Sequence, residues 1–182
     1  MAKYKSRYRI ESTRLPSWDY AAPGYYFITI CIRAFTPYFG QILEGEVRHS
    51  PLGQIAYEYW AAIPDHFPNV NLDEFIIMPN HVHGIIILNE PSVETPNQTK
   101  FDHAVSLPRE KLPRPGSIST VVRSYKSAVT RWAKLNQFQQ FAWQPRFYDH
   151  IIQDEHALQA IREYIQANPL RWEEEQYFSN NP

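Results

Sequence analysis

Along the chain the apolar positions alternate between two spacings. Residues 24–33 (GYYFITICIR) are β-branched and aromatic, a strand entered through the turn residues Ala22-Pro23-Gly24. Residues 39–43 and 46–48, on either side of Glu44-Gly45, predict a short hairpin. From Ser50 the spacing changes to that of a helix, with Leu52, Ile55, Ala56, Tyr59, Trp60 and Ile63 on one stripe. Ser50 is its N-cap, Pro51 its first residue and Pro64 its stop. Val70–Met78 and His81–Leu88 return to strand character, and the short Pro79-Asn80 link predicts antiparallel neighbours. A second helix is expected from Ser117 or Ser119 to Asn136, with Val121, Val122, Tyr125, Ala128, Val129 and Trp132 on its apolar face. Residues 141–152 form a mixed aromatic, strand-like segment, and a third helix is expected over 154–168, capped by Asp154 and ended by Pro169. This order of elements predicts an α+β domain, with a mostly antiparallel sheet and helices packed on one face.

At 182 residues the chain is one domain by size. Residues 1–23 read as an extended basic arm, 24–172 as the domain and 173–182 as an acidic tail. Residues 89–116, rich in Pro, Ser, Thr, Asn and Gln, form a loop long enough to be suspected of function. The lone Cys31 gives no disulfide framework and no thiolate cluster for zinc. No apolar run is long enough to cross a bilayer, and no apolar signal core follows the basic N-terminus. A cytoplasmic protein is expected.

Charge sharpens this picture. The net charge is −1, but Lys3, Lys5, Arg7, Arg9 and Arg14 crowd the arm, while Arg123, Lys126, Arg131 and Lys134 occupy one face of the second helix. Such patches set the local potential whatever the total. Aromatics make up 15 % of the chain and several stand beside these basic residues, an interleaving suited to stacking on unpaired bases.

The strand 81–88 carries the first candidate chemistry. Side chains two apart on a strand share a face, so His81 and His83 present two imidazoles together, half of a metal site. On the last helix Tyr164 and Asn168, four apart, share a face about one turn, roughly 6 Å, from each other. An amide oxygen suits Mg²⁺ or Mn²⁺, and two histidines tilt the choice towards Mn²⁺ and its neighbours. A barrel-type zinc hydrolase also uses His-x-His on a strand, but it needs a longer chain and further ligands. Hydrolases with a third alternating histidine are excluded because Ile85 stands at that position.

The blocks Met78-Pro79-Asn80-His81-Val82-His83, Trp143-Gln144-Pro145-Arg146-Phe147-Tyr148-Asp149-His150 and Tyr164-Ile165-x-x-Asn168-Pro169 come in this order. Together with Arg14-Leu15-Pro16…Asp19-Tyr20…Pro23-Gly24-x-Tyr26-Phe27-x-Thr29 they resemble the REP-associated tyrosine transposases, a branch of the single-tyrosine HUH transposases. The resemblance covers residues 14–172. It implies a ferredoxin-like sandwich in which His81, His83 and Asn168 hold Mg²⁺ or Mn²⁺ and Tyr164 is the nucleophile. The implied substrate is single-stranded DNA beside a palindromic hairpin, cleaved and rejoined through a covalent 5′-phosphotyrosine. By analogy the stem lies on Arg123, Lys126 and Arg131, and the single strand on Arg7, Arg9 and Arg14. Arg146 is a candidate phosphate contact or a sheet-edge ion pair. Either a monomer or a homodimer is compatible with the resemblance. The competing reading is a non-catalytic hairpin-binding regulator that keeps the fold, which would require none of His81, His83, Tyr164 and Asn168.

Overall fold

The computed structural model describes residues 3–4, 7–8, 18–90 and 116–180, with side chains for 18–90 and 116–172. Four strands form the central sheet: β1 (Gly24–Cys31), β4 (Val70–Met78), β5 (His81–Leu88) and β6 (Tyr148–Ile152). Their order is β4-β5-β1-β6 and every pairing is antiparallel. A hairpin of β2 (Gly40–Leu43) and β3 (Glu46–His49) stands beside the sheet. The helices are α1 (Pro51–Ala61), the short α2 (Ile63–His66), α3 (Ile118–Leu135) and α4 (Glu155–Asn180). Lys3–Tyr4 and Arg7–Tyr8 pair as a two-residue ladder. The fold is α+β with helices packed on an antiparallel sheet, as the residue pattern predicts.

Alternation along the strands builds two cores. Tyr26, Ile28 and Ile30 of β1, with Val82 and Ile86 of β5, point to one face and are fully buried beneath α1 and α3. The intervening residues point the other way, where Ile85 and Ile152 meet Leu158 and Ile165 of α4. One-sided packing therefore describes α1 and α3, while α4 covers the opposite face. Gly84 of β5 sits on the larger core, where a Cβ would lie 2.4 Å from the Trp60 ring of α1. The missing side chain lets the indole lie directly on the strand.

Local chemistry fixes the element ends. The Ser50 hydroxyl accepts from the Gly53 N–H at 3.1 Å, and the Ser117 hydroxyl accepts from Thr120 at 3.4 Å. Asp154 caps α4, its carboxylate accepting from the Ala157 N–H at 2.7 Å. Two proline boundaries need correction. Pro64 does not stop α1, which ends at Ala61; it sits in the first turn of α2, where its missing N–H breaks no bond. Pro169 does not end α4 either, for the helix runs through it to Asn180. A proline removes one helical bond but its own φ is helical. Contacts of the next turn hold it in line, with Leu170 over Gly45 of the hairpin and Trp172 beside His81.

Residues 141–152 form less strand than their pattern predicts. Trp143 makes one bridge to Ile32, and the Gln144 N–H donates to the Cys31 carbonyl at 2.9 Å. Pro145 then offers no donor, and regular pairing resumes only at Tyr148. The arm beyond residues 7–8 is described from residue 18, where it is docked. The Trp18 indole donates to the Tyr26 hydroxyl at 3.1 Å, and that hydroxyl donates to the Ala22 carbonyl at 2.7 Å. The loop 91–115 lies outside the described residues.

Candidate active site

The β1–β5 register pairs Thr29 with His83 and Cys31 with His81. Both imidazoles therefore stand on the face that α4 crosses, their ring centres 4.4 Å apart. Asn80 fixes the first ring. Its amide nitrogen donates to the Phe35 carbonyl at 3.0 Å, so its oxygen is the acceptor 2.7 Å from His81 Nδ1. That places the His81 proton on Nδ1 and leaves Nε2 as a lone pair. His83 has Thr29 Oγ1 at 2.9 Å from Nδ1 and the Tyr164 hydroxyl at 3.4 Å from Nε2. The Thr29 and Tyr164 hydroxyls can each donate or accept, so the two contacts engage both ring nitrogens of His83 in either tautomer.

Helix α4 brings the other candidates to these rings. Leu158 and Ile165 seat it on the sheet, and Tyr164 flanks that apolar stripe with its ring centre 5.3 Å from that of His83. Phe27 of β1 stacks on His83 at 5.4 Å and meets the Tyr164 ring edge-on at 6.0 Å. Asn168, one turn further on, is buried and hydrogen-bonds His81. Because α4 continues past Pro169, Trp172 comes within 5.8 Å of the His81 ring and the Arg171 guanidinium lies 5.5 Å from the centre of the Tyr164 ring. The structure thus gathers His81, His83, Tyr164 and Asn168. It adds Thr29, Asn80, Phe27, Arg171 and Trp172, to which the sequence reading gave no role. The four-residue step from Asn168 to Trp172 was the available signal for Trp172, masked by the proline; Thr29 could be found only from the strand register.

Burial sets the charge state of the site. Desolvation pushes His81 down to about 4, with the Asn168 hydrogen bond pulling the other way. It pushes His83 down to about 3, helped by repulsion from His81. Both rings are therefore neutral at neutral pH, the form that binds a metal. The donor set fits a divalent ion: the Nε2 lone pair of His81, the His83 ring anchored at Nδ1 by Thr29, and the amide of Asn168 one helical turn past the phenol. No cluster of three His, Cys, Asp or Glu side chains occurs among the described residues. Two imidazoles and an amide leave coordination positions for outside oxygens, as on a phosphate.

The basic candidates are placed elsewhere. Arg123 and Arg131 are exposed on α3, beneath the sheet face opposite to the histidines. They line a groove of about 960 Å³ between α3 and residues 143–147. Lys126 lies in the same groove, but its ammonium donates to the Gln144 carbonyl at 2.7 Å and to the Arg146 carbonyl at 3.4 Å. It ties the 143–147 segment to α3. Arg146 is exposed on that segment. Of the arm residues, Arg7 is described by its backbone alone, and Arg9 and Arg14 lie outside the described residues. The groove and the histidine face meet at the sheet edge, since residues 143–147 run into β6, where the exposed Tyr148 pairs with Thr29.

No family model matches the chain. It is 39 % identical over 170 residues to an uncharacterized protein of Haemophilus influenzae, covering 92 % of either chain. Among solved structures it is similar to a REP-associated tyrosine transposase bound to a REP hairpin, with a TM-score of 0.56 and 19 % identity. That match covers 94 % of this chain and 74 % of the other, and it shows a shared fold. No helix among the described residues is long and apolar enough to cross a membrane.

Proposed function

We propose, for a chain that belongs to one family with the uncharacterized Haemophilus influenzae protein, that it is a metal-dependent single-stranded DNA endonuclease and transposase. It cleaves and rejoins DNA next to palindromic hairpins through a covalent 5′-phosphotyrosine at Tyr164. One observation carries the reading: the Tyr164 hydroxyl lies 3.4 Å from Nε2 of a neutral, buried histidine whose neighbour is a second neutral histidine. A tyrosine packed only for its ring would not need a buried imidazole at its hydroxyl. The fold shared with a transposase that binds a REP hairpin supports the choice of substrate.

His81, His83 and Asn168 would hold a Mg²⁺ or Mn²⁺ ion, which supplies Lewis-acid polarisation of a phosphate and neutralisation of its developing charge. The chain's own residues do the rest. Asn80 keeps the His81 proton on Nδ1 and Thr29 anchors the His83 ring at Nδ1, so that both Nε2 atoms face the reacting side. A His83 Nε2 engaged elsewhere no longer accepts from Tyr164, and the phenol is then available to a phosphorus atom. Phe27 holds the Tyr164 ring edge-on and limits its swing. In the transfer the phenolic oxygen forms a bond to phosphorus, and the bond from phosphorus to the 3′-oxygen of the preceding nucleotide breaks. The phenol proton passes to solvent, and the departing oxygen takes up a proton as a 3′-hydroxyl. Attack by that hydroxyl reverses the step and rejoins the strand, so no nucleotide triphosphate is consumed. Arg171, beside the Tyr164 ring, is placed to meet phosphate oxygens.

A stem lying on Arg123 and Arg131 leaves its flanking strand to pass the sheet edge at residues 144–148 and reach Tyr164. A monomer or a homodimer is compatible with this arrangement. The test is a denaturing gel of protein incubated with hairpin-bearing single strands and Mn²⁺ or Mg²⁺. The expected result is a covalent band that requires metal and disappears in Tyr164→Phe. Hairpin binding without any such band would make the protein a binding regulator.

A further inference from the structure

The edge strand β4 carries a β-bulge between Leu72 and Phe75 whose purpose the fold alone does not explain. The bulge turns Asp73 towards α4 and fixes its aim, because the Glu74 N–H donates to Asp73 Oδ1 at 2.7 Å. Arg162 of α4 answers with a two-pronged pair: Nε donates to Oδ1 at 2.9 Å and Nη2 to Oδ2 at 2.7 Å. The side chains of Asp73 and Arg162 are 14 % and 30 % exposed, so water screens the pair only partly. The guanidinium bond holds the Asp73 carboxyl below its ordinary range. Glu155, one helical stretch earlier, gives Nη1 a longer contact of 3.5 Å.

Position on the helix gives this pair its meaning. The stripe that buries α4 runs through Leu158 and Ile165, with Ile161 beside it. At 100° per residue Arg162 falls on one side of that stripe and Tyr164 on the other. Apolar contacts hold a helix down without fixing its rotation, because burial is non-directional. A forked guanidinium–carboxylate pair is directional. A turn of about 20° about the helix axis would move side chains roughly 5–6 Å from it by about 2 Å. That is enough to carry the Tyr164 hydroxyl out of reach of His83.

We infer that Asp73 and Arg162 are positioning residues: the bulge-borne clamp sets the rotation of α4 on its own sheet and so places the Tyr164 hydroxyl against the histidine pair. Neither residue touches the reacting atoms. The clamp also ties the tyrosine helix to the chain that owns the histidines. The effect on turnover rests on the proposed function, whereas the effect on geometry does not.

Two measurements test the clamp separately. In metal-free protein, side-chain ¹⁵N NMR reports the hydrogen bond at His83 Nε2, with Tyr164→Phe giving the value without the phenol. Asp73→Asn and Arg162→Lys should move the His83 resonance towards that value, and a resonance unchanged from wild type in both overturns the inference. Arg162→Lys keeps the charge but loses the fork, so a role in stability alone would leave the resonance in place. With hairpin DNA and Mn²⁺, both variants should form the covalent adduct about 10- to 100-fold more slowly, with KM within about two-fold of wild type. Wild-type rates in both would also overturn the clamp. No adduct from wild-type protein would count against the proposed function alone, with the NMR result still deciding the inference.

Discussion

Gly84 and His83 are neighbours with opposite duties. The side chain of His83 faces Tyr164 of α4, while Gly84 lacks one so that Trp60 can lie on the strand 2.4 Å from where a Cβ would be. Replacing a strand glycine by alanine ordinarily stabilises by roughly 0.5–1 kcal/mol through the unfolded chain. Here the neighbours are an indole and Phe75 in a packed core, and overpacking reverses the sign. Gly84→Ala is expected to destabilise by about 1–3 kcal/mol in urea unfolding; a gain in stability would show that Trp60 can shift. Lys126 is a second residue whose role its charge does not reveal. With its ammonium on two carbonyls, Lys126→Met should lower the unfolding midpoint, whereas Arg123→Gln should leave it in place. On hairpin DNA, Arg123→Gln should reduce the slope of log affinity against log salt by about 1, and Lys126→Met should change that slope less.

Among the elements, the paired central strands were legible, while the 141–152 segment and the helix stops were not. Val70–Met78 and His81–Leu88 are strands to the residue, because β-branched runs bounded by turn residues leave little choice. The N-cap at Ser50 was equally plain, whereas the second helix could start from Ser117 or Ser119 until the hydroxyl of Ser117 is seen to accept from Thr120. Proline misled twice for one reason: it forbids one backbone bond, and whether that bond matters depends on contacts elsewhere. Past Pro169 those contacts are Leu170 on the hairpin and Trp172 at His81, invisible to local periodicity. The same limit applies to the candidate site. The spacing of His81 with His83, and of Tyr164 with Asn168, shows shared faces, but only register and helix placement show that the two faces meet. Thr29, Asn80 and the Asp73–Arg162 pair became visible only with that placement. At this level Trp172→Ala should expose the His81 ring and leave the α1–α3 core intact. Its hydrogen exchange should quicken in α4 beyond Asn168 and stay slow in β1 and β5.

The molecule as a whole divides its work between the two faces of one sheet. One face buries the large core and carries the basic groove outside α3; the other carries the histidines beneath α4. Burying two neutral imidazoles links stability to pH. Their folded values, about 4 and about 3, lie below the ordinary 6.5, so the unfolded chain binds the extra protons as pH falls. The stabilisation is complete above about pH 6.5 and is lost progressively towards pH 4 and below. For metal-free protein the loss between pH 8 and pH 5 should be on the order of 2 kcal/mol per histidine, and His81→Gln with His83→Gln should flatten that dependence. A profile equally steep in the double variant would place the titrating groups elsewhere.

Covalent attachment of DNA to Tyr164, as proposed above, is decided by peptide mass spectrometry. Trypsin releases residues 163–171 as one peptide whose only tyrosine is Tyr164. After reaction with hairpin DNA and Mn²⁺, followed by nuclease digestion, that peptide should carry a 5′-linked nucleotide phosphate. An adduct on another tyrosine, or cleaved DNA with a free 5′-phosphate and no modified peptide, would rule out Tyr164 as the nucleophile.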